Sequence, residues 1–539
     1  MSGRTAPGPL AGLGALVRVA VRRSRWFYLA WVLALVSFVP LTAAAYEQVV
    51  DPRNADLLIT TMTHNPTMRA MLGPPFDLYT PGGFTVWRVG TFAAAMSGIM
   101  AVLGVVRSTR AEEEDGRTEL LRSGAVGRHA PLAAGVLVAL GACGALATLI
   151  AVSMVAVGEP VPGSVAFGLG TGLVGAVFVG VGALAAQLTA SARGARALGM
   201  WVLAAAYTLR AVADGAPEDS ALRPLAWLSP VEWMALSRPY ADERWWVLLL
   251  PVVACVALLG GAVALEARRD HGAGLWATRP GPGHAPASLG SPLGLAGRLH
   301  RGGVVGWTLG MLLFALAMGS LSTSFGDMLE ETPRLEIIFE RMGGGAERLS
   351  EAFFVAILTI VAVVMSVLAV LLLHRLQAEE ERGHAELLLS TATRRSRLLC
   401  SHVLIAAVVP VVLLALIGAV MAVNQALADD DWSWPLKIAG AGLALAPGVL
   451  LVLGLAVLLH GWAPRLRWVV WVVVGWSLFM VWVGAVLALP DWTADLTPWA
   501  ALPKLPVDDM DWPAVLATTG LAALLTVLGF VGYRRRDIT

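Results

Sequence analysis

Lysine is nearly absent from this sequence, which holds only Lys437 and Lys504. A phosphate-binding loop needs a lysine followed by serine or threonine after a glycine-rich turn. Here Lys437 is followed by Ile438, and Lys504 by Leu505. The chain therefore has no nucleotide-binding loop of that type, and no cofactor is expected in it.

Charge of either sign is scarce as well, at 14% of the residues, and the formal net charge is +1. A nucleic-acid partner would favour a basic face, so none is expected. The three cysteines, Cys143, Cys255 and Cys400, all fall inside apolar segments. An odd and widely spaced set indicates small core residues, and we expect neither a disulfide framework nor a metal site.

Apolar residues are abundant: 57% of the chain is hydrophobic, and its mean hydropathy is +0.71. A soluble chain is about 45–50% apolar and about a quarter charged. About 20 apolar residues cross a bilayer as a helix, which satisfies its own backbone hydrogen bonds. The sequence therefore predicts an all-α polytopic membrane protein. Twelve segments are predicted to span: 26–45, 89–106, 131–157, 165–190, 197–213, 245–265, 304–322, 352–373, 398–426, 438–459, 468–489 and 515–531.

Arginine sets the predicted orientation. Arginines gather near both termini and in alternate loops, whereas loops 428–434 and 507–512 are acidic and rich in tryptophan. The positive-inside rule then places both termini in the cytoplasm. The membrane itself is expected to be a bacterial plasma membrane. The basic stretch 10–26 has two open interpretations: an amphipathic helix on the inner leaflet, or a flank that only fixes orientation.

A repeat divides the chain. Residues 111–123 and 378–390 share nine of thirteen residues at a shift of 267 positions, and stretches 228–246 and 496–513 match at nearly the same shift. Six spans per half give both halves one orientation, which predicts two parallel six-helix repeats about a pseudo-twofold axis along the membrane normal. We predict halves at 1–269 and 298–539, joined by a cytoplasmic Gly/Pro-rich linker, 270–297, to which we assign no structure.

The repeated phrase is acidic and contains a glycine. We name residues 108–124 the first acidic segment and residues 376–392 the second; both fall in predicted cytoplasmic loops. After Gly116 a short helix is predicted, with Glu119 in its first turn. Four-residue spacing predicts ion pairs between Glu113 and Arg117 and between Arg110 and Glu114. A solvated loop and a cation site remain alternatives, although the interspersed arginines disfavour a cation.

No acidic or histidine residue lies at the centre of a predicted span, as a proton-coupled carrier usually requires; His374, His460 and Glu266 lie at span ends. Any energy source is therefore expected outside this chain. The phrase E-E-x-x-G-x-x-E-L-L, repeated in two six-span halves, resembles the coupling segment of type-2 ABC exporter permeases. More narrowly, the whole chain is similar to the double-length permeases of the tetronasin and polyketide-antibiotic exporter family, as are stretches 65–88 and 237–246.

The resemblance implies a permease that is not itself an enzyme. Two copies of a separate ABC ATPase, which hold ATP and Mg²⁺, would bind beneath it and receive the two acidic segments as coupling helices. Asp115 and Arg117 become Arg382 and His384 in the second segment, so the two contacts need not be equal. The residues implied in coupling are Glu112, Glu113, Glu114, Gly116, Arg117 and Glu119, and Glu379, Glu380, Glu381, Gly383 and Glu386.

The expected function is outward transport of hydrophobic or amphiphilic small molecules, of drug or polyketide-antibiotic type, with membrane lipid around the subunit. Candidate substrate-path residues are Arg210, Gln187 and Asn424. For Arg210, snorkelling to the interface and pairing with an outer-loop acid are the alternatives; for the two amides, helix–helix hydrogen bonding. An ion-gradient carrier and a non-transporting sensor or scaffold with an ATPase partner are the rival functions.

Overall fold

The computed structural model describes residues 8–46, 50, 59, 63, 66–122, 124, 126–217, 219–270, 272–276, 281, 283–330, 346–481 and 492–536. Within these ranges the chain forms helices and turns, without a strand. Contacts divide it into two compact units, Met1–Gly281 and Pro282–Thr539. The sequence predicts a helical patch at 334–342 within the outer loop 324–350, and this patch lies outside the described residues.

In its described residues, the first unit contains six long helices and several short ones. A π-helical turn at Val86–Gly90 joins α3 to α4, and 3₁₀ turns lie at Arg223–Leu228 and Trp245–Leu248. The α-helices are α1 (Leu13–Ala44), α2 (Pro66–Leu72), α3 (Pro81–Thr85), α4 (Thr91–Ser108), α5 (Arg110–Glu114), α6 (Arg117–Arg122), α7 (Ala130–Val157), α8 (Val161–Leu188), α9 (Ala192–Gly215), α10 (Trp233–Leu236) and α11 (Leu249–Glu266).

The second unit repeats the alternation of long and short helices. Its 3₁₀ turns lie at Ala287–Gly290 and Pro464–Leu466. The α-helices are α12 (Pro292–Glu330), α13 (Ala346–Glu381), α14 (His384–Leu389), α15 (Arg395–Met421), α16 (Val423–Ala428), α17 (Trp434–Trp462), α18 (Trp468–Phe479), α19 (Trp492–Asp495) and α20 (Trp512–Arg535).

Short polar residues start several of these helices. The hydroxyl of Thr80 accepts the backbone N–H of Gly83 at 3.1 Å, with Pro81 in the first helical position. Ser191 caps α9 and Asp511 caps α20 in the same way. Such caps satisfy N–H groups that have no partner inside the helix, and proline fits the first turn because its missing N–H is not needed there.

Helix α8 lies at the centre of the first unit and α17 at the centre of the second. Small residues on these two helices let their neighbours approach closely. A Cβ added to Gly172 of α8 would lie 2.7 Å from the Cβ of Ala147 in α7. A Cβ added to Gly454 of α17 would lie 2.7 Å from the carbonyl oxygen of Ala522 in α20. Close backbone approach at small residues is the usual way in which helices associate inside a membrane. The fourth predicted span of each half is therefore its packing centre.

The helices confirm a multi-pass membrane protein. Among the described residues, ten candidate spans are long and apolar enough to cross a bilayer, and each overlaps a predicted segment. Helix α9 overlaps predicted span 197–213 but is less apolar, and predicted span 468–489 begins with α18 and continues beyond the described residues. The total of twelve spans and the symmetry of the repeat stay predictions. The candidate spans are Leu13–Ala44, Pro81–Glu114, Ala130–Val157, Val161–Leu188, Trp245–Glu266, Pro292–Ser322, Ser350–Glu381, Arg395–Ala428, Trp434–Trp462 and Trp512–Arg535.

The described residues settle the structure of two segments: the stretch 10–26, which had two open interpretations, and the ends of the predicted linker, to which no structure was assigned. Helix α1 runs without a break from Leu13 to Ala44, so stretch 10–26 is not a separate surface helix. The start of the predicted linker lies along the first unit, where Leu275 and Trp276 donate backbone hydrogen bonds to the carbonyls of Gln187 and Leu188 at 3.2 and 2.8 Å. The end of the predicted linker forms the beginning of α12.

Candidate functional site

The first acidic segment folds as two short helices separated by a glycine. Helix α5 ends at Glu114 and α6 begins at Arg117, with Glu119 in its first turn. Between them Gly116 has a φ of +73°, and apart from its chain neighbours no described residue comes within 4 Å of where its Cβ would be. This left-handed conformation is costly for residues with a side chain. The helix predicted after Gly116 is confirmed, and the glycine is required by the backbone turn.

The second acidic segment has the same turn at the matching position. Helix α13 ends at Glu381, Gly383 has a φ of +74°, and α14 begins at His384 with Glu386 in its first turn. Open space surrounds the Cβ position of Gly383 as well. The repeat in sequence is therefore a repeat in local geometry.

The middle glutamate of the first segment is buried and holds the segment to the end of α11. Both guanidinium Nη atoms of Arg269 donate to the carboxylate of Glu113, at 2.7 and 2.8 Å. Arg110 donates to it at 2.9 Å, and the N–H of Gly272 at 2.7 Å. The Glu113 side chain is only 6% exposed. Four charge-assisted hydrogen bonds on a buried carboxylate make a strong and directional joint.

Arg110 extends this joint to a third helix. Its Nε donates to the carbonyl of Thr189, just after α8, and its Nη2 donates to Ala273 at 2.7 Å. The Arg110 side chain is 1% exposed. Because its charge is neutralised by Glu113, burial is offset by pairing and hydrogen bonding. The first acidic segment is thereby connected to α8, α11 and the residues that follow α11.

Glu380, which matches Glu113 in the repeat, has the same role in the second unit. Its carboxylate accepts the Nη2 of Arg536 at 2.7 Å and the hydroxyl of Tyr533 at 2.8 Å. His460, near the end of α17, lies 3.3 Å away through its Nε2. The Glu380 side chain is 5% exposed. The second acidic segment is thereby connected to α17 and to the end of α20.

The arginine partners of these two glutamates were not among the predicted residues. Arg269 and Arg536 are separated by the same 267 positions as Glu113 and Glu380. The signal was therefore present: an arginine at the same register after the last span of each half. We name the Glu113–Arg269 and Glu380–Arg536 pairs the first and second latch.

In each unit a second glutamate contacts a residue on the other side of the turn. The carboxylate of Glu112 accepts from Arg117 at 3.1 Å and from Arg23 of α1 at 2.6 Å. At the matching position, Glu379 lies 2.8 Å from Nδ1 of His384. The predicted pairs Glu113–Arg117 and Arg110–Glu114 are wrong. Gly116 separates Glu113 from Arg117, so these two residues do not share a helix. Arg110 and Glu114 both lie on α5, but Arg110 is directed to Glu113 instead.

The remaining acidic side chains face outward. Glu114 is exposed, although one of its oxygens accepts the N–H of Ala192 at the start of α9, at 3.0 Å. Glu119, Glu381 and Glu386 are exposed too, and Leu387 is 70% exposed beside Glu386. Each turn therefore presents carboxylates on its surface while its middle glutamate is turned inward. Of the predicted coupling residues, Glu113 and Glu380 are placed where a partner protein cannot reach them directly.

The substrate-path candidates occupy different surroundings. Gln187 is buried at the end of α8, where its Oε1 accepts from Arg269 at 2.7 Å, so its amide belongs to the first latch. Arg210 is fully buried in α9 and does not snorkel; it forms an ion pair with Asp214 at 3.3 Å. Asn424 is half-buried in α16. Helix α9 begins beside the first acidic segment, where Glu114 accepts from Ala192, and Arg210 lies about 27 Å further along its axis. Gln187 and Arg210 therefore do not lie on the same part of a substrate path.

Two comparisons with known proteins point to the same family. The chain is 36% identical over 531 residues to the multidrug efflux system permease protein Rv1217c of Mycobacterium tuberculosis, an alignment that covers 98% of this chain and 95% of that protein. Residues 289–534 match the family described as the C-terminal domain of the multidrug efflux system permease Rv1217c. That match covers α12 to nearly the end of α20, which is almost the whole second unit.

Proposed function

The chain belongs to the Rv1217c family of multidrug efflux permeases, and on that premise we propose that it is the membrane subunit of an ATP-driven ABC exporter. It carries hydrophobic or amphiphilic small molecules out of the cell. The finer resemblance to polyketide-antibiotic exporters sets the expected substrate class. ATP and Mg²⁺ belong to a separate ATPase, since neither lysine of this chain is followed by serine or threonine.

The observation that carries this proposal is the repeated turn. In each unit a left-handed glycine reverses the chain and presents a short helix with an exposed glutamate in its first turn. A short amphipathic helix displayed in this way suits insertion into a groove of a partner. Glu119 on α6 and Glu386 on α14, with the exposed side chain of Leu387, are the contacts we assign to the ATPase. Both termini and both turns face the cytoplasm in this proposal.

The latches give the turns a mechanical role. A force applied to α5 and α6 is passed through Glu113 to Arg269 at the end of α11, and through Arg110 to the end of α8. In the second unit Glu380 passes it to α17 and α20. Helices that are held by buried ion pairs move with the turn as one body. ATP binding by the partner thus displaces the central helix and the last helix of each unit together.

Co-purification tests the docking assignment. The full chain is co-expressed with a candidate ABC ATPase taken from the genes beside it, and the amount of bound ATPase and its ATP turnover are measured. The variants are Glu119→Lys, Glu386→Lys and both together. The control is Asp509→Lys, which reverses an exposed carboxylate outside both segments and outside the residues of both latches. We expect single reversals to weaken binding and the double reversal to abolish it, while the control binds as the wild type does.

Two other results would change the assignment. Equal binding by the wild type and all three reversal variants would mean that the exposed glutamates are solvated and that docking lies elsewhere. Efflux that persists after the genes of the candidate ABC ATPases are deleted would favour the gradient-driven carrier. ATP turnover that responds to substrate without transport into inverted vesicles would favour a sensor.

A further inference from the structure

A cluster of buried charges lies in the first unit, at the end of α9 that is remote from the acidic segment. Arg210 is fully buried there, and its Nη2 donates to the carbonyls of Ala70 and Met71 at the end of α2. The hydroxyl of Tyr207 donates to Met71 at 3.0 Å, and the Arg210 guanidinium lies 4.7 Å from the Tyr207 ring centre. These contacts hold α9 firmly against α2.

Two carboxyl groups share this enclosed space. Asp214 is 6% exposed and lies one turn after Arg210, with its Oδ2 at 3.3 Å from Nη1 of the guanidinium. Glu232, which immediately precedes α10, is 0% exposed. The carboxyl groups of Asp214 and Glu232 face each other within hydrogen-bond reach.

No donor in the described part of the cluster is directed at Glu232, although Nε and Nη1 of Arg210 make no hydrogen bond of their own. Neither oxygen of Glu232 receives a hydrogen bond from any described residue. The Arg210 Nη2 is already used by the two carbonyls of α2. An ionised carboxylate buried without a donor is very unfavourable, and such a group usually takes up a proton instead. One added proton on Glu232 supplies the missing hydrogen bond, because Glu232 then donates to Asp214. It also removes the repulsion between two neighbouring negative charges.

We propose that Asp214 and Glu232 are a proton-binding site that holds one proton between them in the described conformation. Asp214 keeps its negative charge beside Arg210, and Glu232 is the neutral acid that donates to it. The charged groups that face the pair are Arg210 on α9 and Arg69 on α2. Consistent with this arrangement, complete burial raises the pKa of Glu232 well above its usual range, and the nearby Asp214 carboxylate raises it further.

The site belongs to the first half alone. The shift of 267 positions places Ser477 opposite Arg210, and the stretch 497–506, which matches the Glu232 region, contains no acidic residue. If water enters this end of the first unit during a transport cycle, Glu232 becomes hydrated and releases its proton on that side. A high pH on that side therefore favours the hydrated conformation, and a low pH favours the closed one.

Infrared spectroscopy tests the site without an ATPase or a substrate. The purified full chain is placed in lipid nanodiscs, and the carboxylic-acid C=O band is recorded at neutral pH. We expect a band in the wild type that is lost in Glu232→Gln. The control Asp242→Asn, at an exposed carboxylate of the same loop region, keeps the band. Asp214→Asn is also expected to lose it, because Glu232 then ionises as the counter-ion of Arg210.

Stability against pH supplies a second measurement. Since the folded protein holds the proton more tightly than the unfolded chain, stability falls as pH rises from the ordinary carboxyl range to the raised pKa of Glu232. The Glu232→Gln variant should lose that slope and melt above the wild type at neutral pH. A wild type without the band, or a band that persists in Glu232→Gln, would overturn the proposal. Neither result depends on the docking assignment, so the two proposals fail separately.

Discussion

The two acidic segments agree in their turn and in their buried glutamate, and differ in nearly everything around them. Gly116 and Gly383 have φ values of +73° and +74°, and Glu113 and Glu380 are both turned inward to an arginine after the last helix. Around them, Glu113 is surrounded by two arginines, whereas Glu380 meets Arg536, a tyrosine and a histidine. The shared features are therefore those that a moving joint needs, and the variable ones set its strength.

The helix that leads into each turn also differs. In the first unit it breaks at Thr109, where φ is −124° and ψ is −85°, and the hydroxyls of Ser108 and Thr109 donate back to Gly104 and Val105. Such bonds compete with helical ones and bend helices. In the second unit α13 runs straight through the matching positions, Arg375 and Leu376. The first turn is thus hinged at its base, and the second is the rigid end of a long helix.

The largest expected difference concerns the latches. Glu113→Gln leaves Arg110 and Arg269 without their counter-ion at 1% and 8% exposure, and breaking a buried pair costs about 3–5 kcal/mol. Glu380→Gln should cost less, because Arg536 is 20% exposed and can reach water. Thermal unfolding of both variants in nanodiscs measures this order. A cycle that adds Arg269→Gln isolates the pair; a coupling energy near zero would mean that Glu113 and Arg269 contribute independently.

The glycines should respond equally. Because a Cβ at Gly116 or Gly383 meets open space, substitution by alanine is opposed only by the left-handed backbone, at about 1–2 kcal/mol. We expect Gly116→Ala and Gly383→Ala to lower stability by the same amount and to weaken ATPase binding by displacing α6 or α14. The asparagine variants, which tolerate this conformation better, are the controls. Unequal losses would show that one turn has other constraints.

The smallest expected difference concerns the contact that crosses each turn. The Glu112 carboxylate accepts from Arg117 and from Arg23, whereas Glu379 is paired across its turn with His384. Exposed ion pairs contribute about 0–1 kcal/mol, so Arg117→Ala and His384→Ala should each weaken ATPase binding by about fivefold or less. Affinity titrations of both variants against the wild type measure this loss, and a much larger loss in either variant would show that its contact also orients the short helix.

Much of the fold could be predicted from the sequence, because each span carries its own signal. Apolar length located the helices, and glycine followed by a glutamate three residues later located α6. Charge made α9 the difficult case: Arg193, Arg196, Arg210 and Asp214 lower its hydropathy, and only the tertiary structure shows that Arg210 and Asp214 neutralise each other inside the unit.

The site was harder to predict, since burial of a single glutamate in an acidic run depends on distant residues. Glu112, Glu113 and Glu114 are equivalent in sequence, but Arg269, 156 positions away, selects only the middle one. Spacing rules consider one helix at a time, and so they paired Arg110 and Arg117 with the wrong glutamates. The acidic pair Asp214 and Glu232 was missed for the same reason: its members lie on separate elements that meet only in the folded unit.

The first latch also decides where this polypeptide can be divided. Gly272 donates to Glu113, and Leu275 and Trp276 are bonded to the end of α8, so the chain after the last helix of the first half is part of that half. A first half expressed alone would therefore have to include the residues up to 276 to keep these hydrogen bonds. Separation between Gly281 and Pro292 leaves these hydrogen bonds and α12 intact. That interval is the place where the two halves can be encoded as separate chains or joined into one.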